Sequence, residues 1–148
     1  MIDIKELEKG NYFFCLNLVG KKISFSLECV KEVGENFIIY ERQGVDCEIA
    51  PSRVLPCPIT EEFLLKNDFK KDENPDYVNF SKDNFSLVAC NLKDPFLCFG
   101  LKDNQLEYRG SASYIHQLQN IFKNFLIKNS LSVIFDLKGS CSEPFFVF

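Results

Sequence analysis

Residues 23–29 read Ile-Ser-Phe-Ser-Leu-Glu-Cys, with apolar and polar side chains in alternation. A period of two residues indicates a half-buried β-strand, because successive side chains of a strand point to opposite faces of the sheet. Residues 12–18, 37–41 and 45–49 continue the strand pattern, and Gly or Asn lies in the connections. Since Gly and Asn favour tight turns, residues 1–58 predict a small antiparallel sheet, either a meander or an SH3-like barrel.

The strand pattern ends at residues 51–58, which hold three prolines, because proline cannot donate a hydrogen bond to a neighbouring strand. Thr60 predicts the N-cap of a short helix, and two glutamates at 61–62 lie in the first turn, where the helix dipole favours negative charge. The polar residues 70–76 predict a linker. Residues 59–76 are therefore interpreted as a short helix followed by a linker.

Residues 77–109 predict a second antiparallel meander, because short strand-like segments alternate there with polar turns. The turns nearly repeat one another: Lys-Asp-Asn at 82–84, Lys-Asp-Pro at 93–95 and Lys-Asp-Asn at 102–104. Asn and Asp are residues that hairpin turns require, so we interpret the repeat as hairpin chemistry and assign it no binding role.

One amphipathic helix is expected after this meander. Residues 115–125 place Ile, Leu and Phe at the helical period, which predicts that the meander packs on this helix. A final strand is predicted at 131–137, and residues 145–148 form either a terminal strand or an exposed docking tail. The predicted fold class is α+β, and residues 77–148 form its last part, either as a separate domain or packed with residues 1–58 as one compact body.

The composition excludes several classes of protein. The 148 residues carry 17 basic and 21 acidic side chains, and a net charge of −4 argues against a non-specific nucleic-acid binder. The longest apolar run, residues 12–16, is far shorter than the ~20 residues that span a bilayer, and the first ten residues lack the layout of a secretory signal. Seven cysteines without any Cys-X-X-Cys pair are typical of reduced thiols. We therefore expect a cytoplasmic protein with no membrane contact and no bound metal or cofactor.

The negative charge is concentrated in one half of the chain. Residues 1–74 carry four more acidic than basic side chains, whereas residues 75–148 are balanced. An electrostatic partner is therefore expected to meet the N-terminal half, and we assign Glu41, Asp46 and Glu48 to such a contact.

The polar face of the predicted helix is a second binding candidate, because its amide-rich side chains suit hydrogen bonds in an interface. The residues assigned to it are His116, Gln117, Asn120 and Lys123, with Arg109 just before the helix. His116 is also the only histidine of the chain, so any histidine-dependent mechanism has to use it. Its neighbours one helical turn away provide no carboxylate and no thiol, so we assign no catalytic residue.

Two segments carry a resemblance to a known family. They are residues 56–69, Pro-Cys-Pro-Ile-Thr-Glu-Glu-Phe-Leu-Leu-Lys-Asn-Asp-Phe, and residues 114–120, Tyr-Ile-His-Gln-Leu-Gln-Asn. The chain resembles small uncharacterised proteins of phages and mobile elements of Bacteroidetes, which share a "pIPLTeeiLlk-GF" segment and a "yvHqLQn" helix. It departs from that pattern at Cys57, where Ile is common, and at Asp68, where Gly is usual. The family has no settled activity, so the resemblance implies a setting and gives no reaction.

Three functions stay open. The setting implies a non-enzymatic accessory protein of a phage or mobile element that binds a host protein or ribonucleoprotein in the bacterial cytoplasm and inhibits a defence complex, most specifically an anti-CRISPR protein. The alternative is a small module that binds RNA or single-stranded DNA, with Tyr and Phe stacking on bases and a thin basic footprint at Lys21, Lys22 and Lys31. The third is a small enzyme that uses His116.

Overall fold

A computed structural model of the chain describes residues 2–91 and 94–128. The fold is α+β, as predicted: two five-stranded antiparallel sheets accompany two short helices. The chain divides into two compact units, of which unit 1 reaches Cys57 and unit 2 begins at Pro58. The strand predicted at 131–137 and the phenylalanines of 145–148 lie outside the described residues.

Unit 1 begins with a single 3-10 turn and then forms its sheet. The strands are β1 Tyr12–Val19, β2 Lys22–Val33, β3 Ile38–Arg42, β4 Val45–Ile49 and β5 Val54–Leu55. Their order is β4-β3-β2-β1-β5, so β4 and β5 are the edges of this sheet among the described residues. The sheet is therefore open there, and the predicted SH3-like barrel is not confirmed.

The core of unit 1 lies on one face of this sheet. Phe13 and Cys15 of β1 are fully buried there. In the register of β1 and β2, Phe13 pairs with Glu28 and Cys15 with Ser26, so these polar residues lie on the core face. Phe25 and its apolar neighbours in residues 23–29 consequently lie on the other face. The alternation in residues 23–29 marks a strand correctly, but its apolar side is not the side of the main core.

Unit 2 begins with a helix and continues as a second meander. Its elements are α1 Glu61–Lys66, β6 Lys70–Glu73, β7 Val78–Lys82, β8 Phe85–Ala89, β9 Phe96–Lys102, β10 Gln105–Ala112 and α2 Ile115–Lys128. The sheet order is β10-β9-β8-β7-β6, which follows the chain without a crossover. Residues 70–76, predicted to be a linker, contain strand β6, which pairs with β7 from Lys70 opposite Ser81 to Glu73 opposite Val78. This edge strand is exposed on both sides, so its sequence carries no hydrophobic period.

Helix α2 covers the core face of the second sheet, as its amphipathic pattern predicts. The Phe85 ring lies 4.0 Å from the Phe122 ring and 5.4 Å from the Phe125 ring, between centroids. Gly100 of β9 lies so close to the Phe125 ring that a Cβ atom at that position would come within 2.4 Å of the ring. The phenylalanines of unit 2 are therefore mainly core residues, packed at a glycine that leaves room for one of them.

The hairpin turns have the backbone that their residues predict. Gln43 and Gly44 both have positive φ, of 52° and 77°, and so do Asp103 and Asn104, at 52° and 62°. Two successive positive φ values match the twist of two-residue hairpins and favour Gly, Asn and Asp. The Lys-Asp-Asn triplet at 102–104 is therefore a turn, as predicted.

Candidate functional site: an acidic face in unit 1

The three acidic residues predicted for a binding role lie together on one face of the β3–β4 hairpin. Glu41 stands directly opposite Asp46 in the register, and Glu48 of β4 stands opposite Ile39. Alternate residues of a strand share a face, so the three carboxylates point away from the buried ring of Tyr40. All three side chains are exposed and available to a partner.

Lys31 supplies the positive charge beside these carboxylates. A β-bulge between Val30 and Glu32 shifts the register of β2 against β3, and a bulge redirects a side chain. The Nζ atom of Lys31 lies 2.7 Å from Asp46 Oδ1 and 3.7 Å from Glu41 Oε2. The hydrogen bond to Asp46 and the charge of that carboxylate raise the pKa of Lys31. Ion pairs this exposed contribute little to stability, so their main effect is to fix the two carboxylates.

Glu32 adds a fourth carboxylate to this face, which the strand pattern of the sequence does not predict. Simple alternation from the buried Val30 would put Glu32 on the core face, but the bulge moves it to the side of Ile39, its partner in the register. A bulge leaves no mark in a hydrophobic pattern, so only the register reveals this residue. We call Glu32, Glu41, Asp46 and Glu48 the acidic face. Four carboxylates stand there against the one ammonium group of Lys31.

The polar side of α2, the second predicted binding surface, is partly used by the fold. The Oε1 atom of Gln117 accepts hydrogen bonds from the backbone N–H groups of Ser113, at 2.9 Å, and Tyr114, at 3.2 Å. This is the reach-back bond of a capping box, which satisfies N–H groups at the start of a helix. Gln117 is therefore a structural cap of α2.

His116 was predicted to lie on the exposed polar face, and the structure corrects this. Its side chain is only 1% exposed, and its ring lies parallel to the Tyr114 ring, with centroids 6.0 Å apart. The start of unit 2 runs beside this helix end, since Ile59 N–H donates to Ser113 O at 3.1 Å. The helical period alone therefore placed His116 wrongly.

The other residues of this second set differ in exposure. Lys123 is exposed and Asn120 is partly exposed, so both reach the surface of α2. Arg109 lies at a bulge of β10, with its guanidinium carbon 5.2 Å from the centre of the Phe125 ring and Nη1 3.4 Å from Glu107 Oε2. Its side chain is 17% exposed, so Arg109 mainly packs over the core of unit 2.

The buried thiols do not provide an activated nucleophile. Burial raises the pKa of Cys57 and of Cys98 to about 12, so neither forms the reactive thiolate near neutral pH. Cys15 lies 3.7 Å from the hydroxyl of Tyr40, and burial raises the pKa of both groups. Within residues 2–91 and 94–128, no three His, Cys, Asp or Glu side chains are arranged to hold a metal ion.

The two segments that carry the family resemblance meet at the start of α2. Pro58 forms a β-bridge with Tyr114, and Thr60 caps α1 by accepting a hydrogen bond from Phe63 N–H at 3.1 Å. Both segments therefore have structural roles in unit 2, which explains their residue types without a ligand.

Comparisons of the chain with protein-family models, with curated proteins and with solved structures give no match. The resemblance to phage and mobile-element proteins stays a prediction that depends on residues 56–69 and 114–120. None of the helices in the described part of the chain is long and apolar enough to cross a lipid bilayer.

Proposed function

We propose that this chain is a non-enzymatic accessory protein of a phage or mobile element that binds and inhibits a host defence complex through the acidic face of unit 1. The observation that carries the proposal is the convergence of Glu32, Glu41, Asp46 and Glu48 on one exposed face. The family resemblance supplies the setting. The most specific form of the proposal is an anti-CRISPR protein that acts on an RNA-guided nuclease in the bacterial cytoplasm.

The chemistry of the acidic face suits a basic nucleic-acid channel. Such channels neutralise phosphates with Lys and Arg, and carboxylates compete for the same cations. A sheet holds the backbone of these residues at fixed spacing, so the backbone loses little entropy when they meet the partner. Since the acidic face is small, the inhibitor acts by covering part of the channel or by holding the nuclease in a nonproductive conformation.

A plasmid-interference assay in a host with its own CRISPR system tests this function. We expect the wild-type chain to abolish interference and the triple variant Glu41→Gln, Asp46→Asn, Glu48→Gln to restore it. A matched control neutralises three exposed carboxylates of unit 2, with Glu62→Gln, Asp72→Asn and Asp103→Asn. Immunity untouched by the wild type would sink the proposal, and full inhibition by the first variant would remove the acidic face from it.

The second candidate is a module that binds RNA or single-stranded DNA through unit 2. The observation that favours it is an aromatic pair at the surface: Phe99 and Tyr108 have ring centroids 5.7 Å apart, Tyr108 is 58% exposed and Phe99 is partly exposed. Bases stack on such side chains without sequence preference. Gel shifts with single-stranded RNA, single-stranded DNA and duplex DNA at low salt test it. Binding that Tyr108→Ala abolishes supports this candidate, and no shift with any of the three nucleic acids dismisses it.

A further inference from the structure

A groove of about 650 Å³ lies on the core face of the first sheet, beyond the end of the core. The face is apolar at Phe13 and Cys15 and becomes polar at Asn17, whose partner in the register is Ser24. Asn17 Nδ2 donates to Ser26 Oγ at 2.9 Å, so the floor of the groove is an ordered set of amide and hydroxyl groups. Ligand pockets commonly have volumes of about 300–1,000 Å³, which includes this groove.

Two arginines line the groove and differ in how they are paired. Arg42 donates to Glu28 Oε1 from Nη2, at 2.7 Å, and from Nε, at 3.2 Å, and its Nη2 also reaches Ser26 Oγ at 2.8 Å. Arg53 instead donates from Nε, at 2.9 Å, and from Nη2, at 2.7 Å, to the carbonyl oxygen of Leu16. A carbonyl is neutral, so it orients the Arg53 guanidinium and leaves its charge uncompensated.

The three arginines of the chain make the contrast clear. Arg42 pairs with Glu28 and Arg109 with Glu107, whereas Arg53 has no carboxylate partner in the described part of the chain. Glu41 also lines the groove, but its carboxylate lies 3.7 Å from Lys31. Lys31 is shared with Asp46, so the charges of Arg42 and Arg53 balance those of Glu28 and Glu41 in the groove. Arg53 is nevertheless the guanidinium of the groove that has no carboxylate partner among the described residues.

The geometry of Arg53 leaves one edge of its guanidinium for a ligand. Nε and one N–H of Nη2 point to Leu16 O, so the N–H groups of Nη1 and the second N–H of Nη2 remain. Two parallel N–H groups of this kind bind a carboxylate or phosphate in a bidentate way. The hydroxyl of Ser24 lies in the same groove and makes no hydrogen bond within the described residues.

We propose that this groove binds a small polar ligand through a singly charged oxyanion, with Arg53 as the bidentate anchor and Ser24 as a further hydrogen-bond partner. A carboxylate and a phosphodiester share this chemistry, and each carries one negative charge to pair with the Arg53 guanidinium. The groove shares Glu41 with the acidic face, but Arg53 and Ser24 lie outside that face, so the site does not depend on the proposed function.

Titration followed by ¹H–¹⁵N NMR tests the site, with N-acetylglycine as the carboxylate probe and cyclic 3′,5′-AMP as the phosphodiester probe. We expect saturable shifts in residues 17–26 and at Arg53 Nε for at least one probe at low salt. Arg53→Gln should weaken binding at least about tenfold, because a hydrogen bond to a charged group is lost. Lys102→Gln, which removes an exposed charge of unit 2, should leave the affinity within about twofold.

A second variant keeps the test decisive if Arg53→Gln unfolds unit 1, since Arg53 also holds the Leu16 carbonyl. Ser24→Ala leaves Arg53 in place and removes the hydroxyl from the groove without adding bulk, so binding should again weaken. Shifts with one probe only, or with both, support the oxyanion site and identify its source. No saturable shift with either probe, or equal losses in Lys102→Gln and Arg53→Gln, would overturn the proposal.

Discussion

The two units share their opening elements and a five-stranded sheet, but they differ in what covers the core face of that sheet. Each begins with a capped helical turn, since Asp3 Oδ1 accepts from Lys5 N–H and Thr60 Oγ1 accepts from Phe63 N–H. Each continues with a buried Asn whose side chain bonds the backbone: Asn11 accepts from Glu8 N–H, and Asn67 donates to Phe63 O. Each then forms a five-stranded antiparallel sheet.

The difference lies in what covers the core face of each sheet. In unit 2, α2 lies across that face and buries the rings around Phe85. In unit 1, among residues 2–57, no such helix follows the sheet, and the same face runs on into the polar groove with Arg53. The acidic face is also in unit 1. Unit 2 therefore buries the core face of its sheet under a helix, whereas the described part of unit 1 leaves polar and charged surface exposed.

The first prediction concerns helix α2, which covers the core face of the sheet in unit 2. Phe122→Ala should lower the free energy of unfolding by about 3–5 kcal/mol, because it removes a fully buried ring of α2 and leaves a cavity against Phe85. Urea denaturation measures the change, with the exposed Asn124→Ala on the same helix as the control. A loss below about 1 kcal/mol would mean that α2 does not close this core.

The second prediction, with a smaller effect, concerns Gly100 of the sheet, which lies against the Phe125 ring of α2. Gly100→Ala should cost about 1–3 kcal/mol, because the new methyl group overlaps the Phe125 ring. In the background of Phe125→Leu the added cost should be smaller, since the flat ring is gone. Thermal or urea unfolding of the four proteins of this double-mutant cycle gives the coupling. Equal costs in both backgrounds would show that the glycine is needed for another reason.

The third prediction, with the smallest effect, compares the stability lost when the cap of each opening turn is removed. Thr60→Ala should cost about 1 kcal/mol, because the side chain caps a true α-helix with two buried residues, Phe63 and Leu64. Asp3→Ala should cost only a few tenths of a kcal/mol, because it caps one 3-10 turn without buried residues. Denaturation midpoints of the two variants measure this difference. An equal loss would mean that the two caps carry the same weight.

Much of the fold was predictable because its signals are local. The hairpin residues, the Thr60 cap and the α2 stripe each fix a backbone conformation over a few residues. Strand β6 was missed since an edge strand exposed on both sides has no period. The core face of β2 was not predictable, because β1 is apolar on both faces and its register decides which face is buried.

The candidate site was predictable only in part, for a similar reason. Glu41, Asp46 and Glu48 were found because they alternate along two strands of one hairpin. Glu32 depended on a bulge, and Arg53 depended on a carbonyl 37 residues away in sequence. The helical period places His116 on the polar side of α2, yet its side chain is only 1% exposed, and the period alone does not reveal this.

The claim that unit 1 is the recognition unit is tested most directly by affinity for a purified RNA-guided nuclease, measured by biolayer interferometry at low salt. The two matched triple variants, one neutralising Glu41, Asp46 and Glu48 and the other neutralising Glu62, Asp72 and Asp103, are compared with the wild-type chain. If unit 1 is the recognition unit, we expect the affinity to fall at least about tenfold in the unit 1 variant and less than about twofold in the unit 2 variant. Equal losses, or a larger loss for the unit 2 variant, would contradict it.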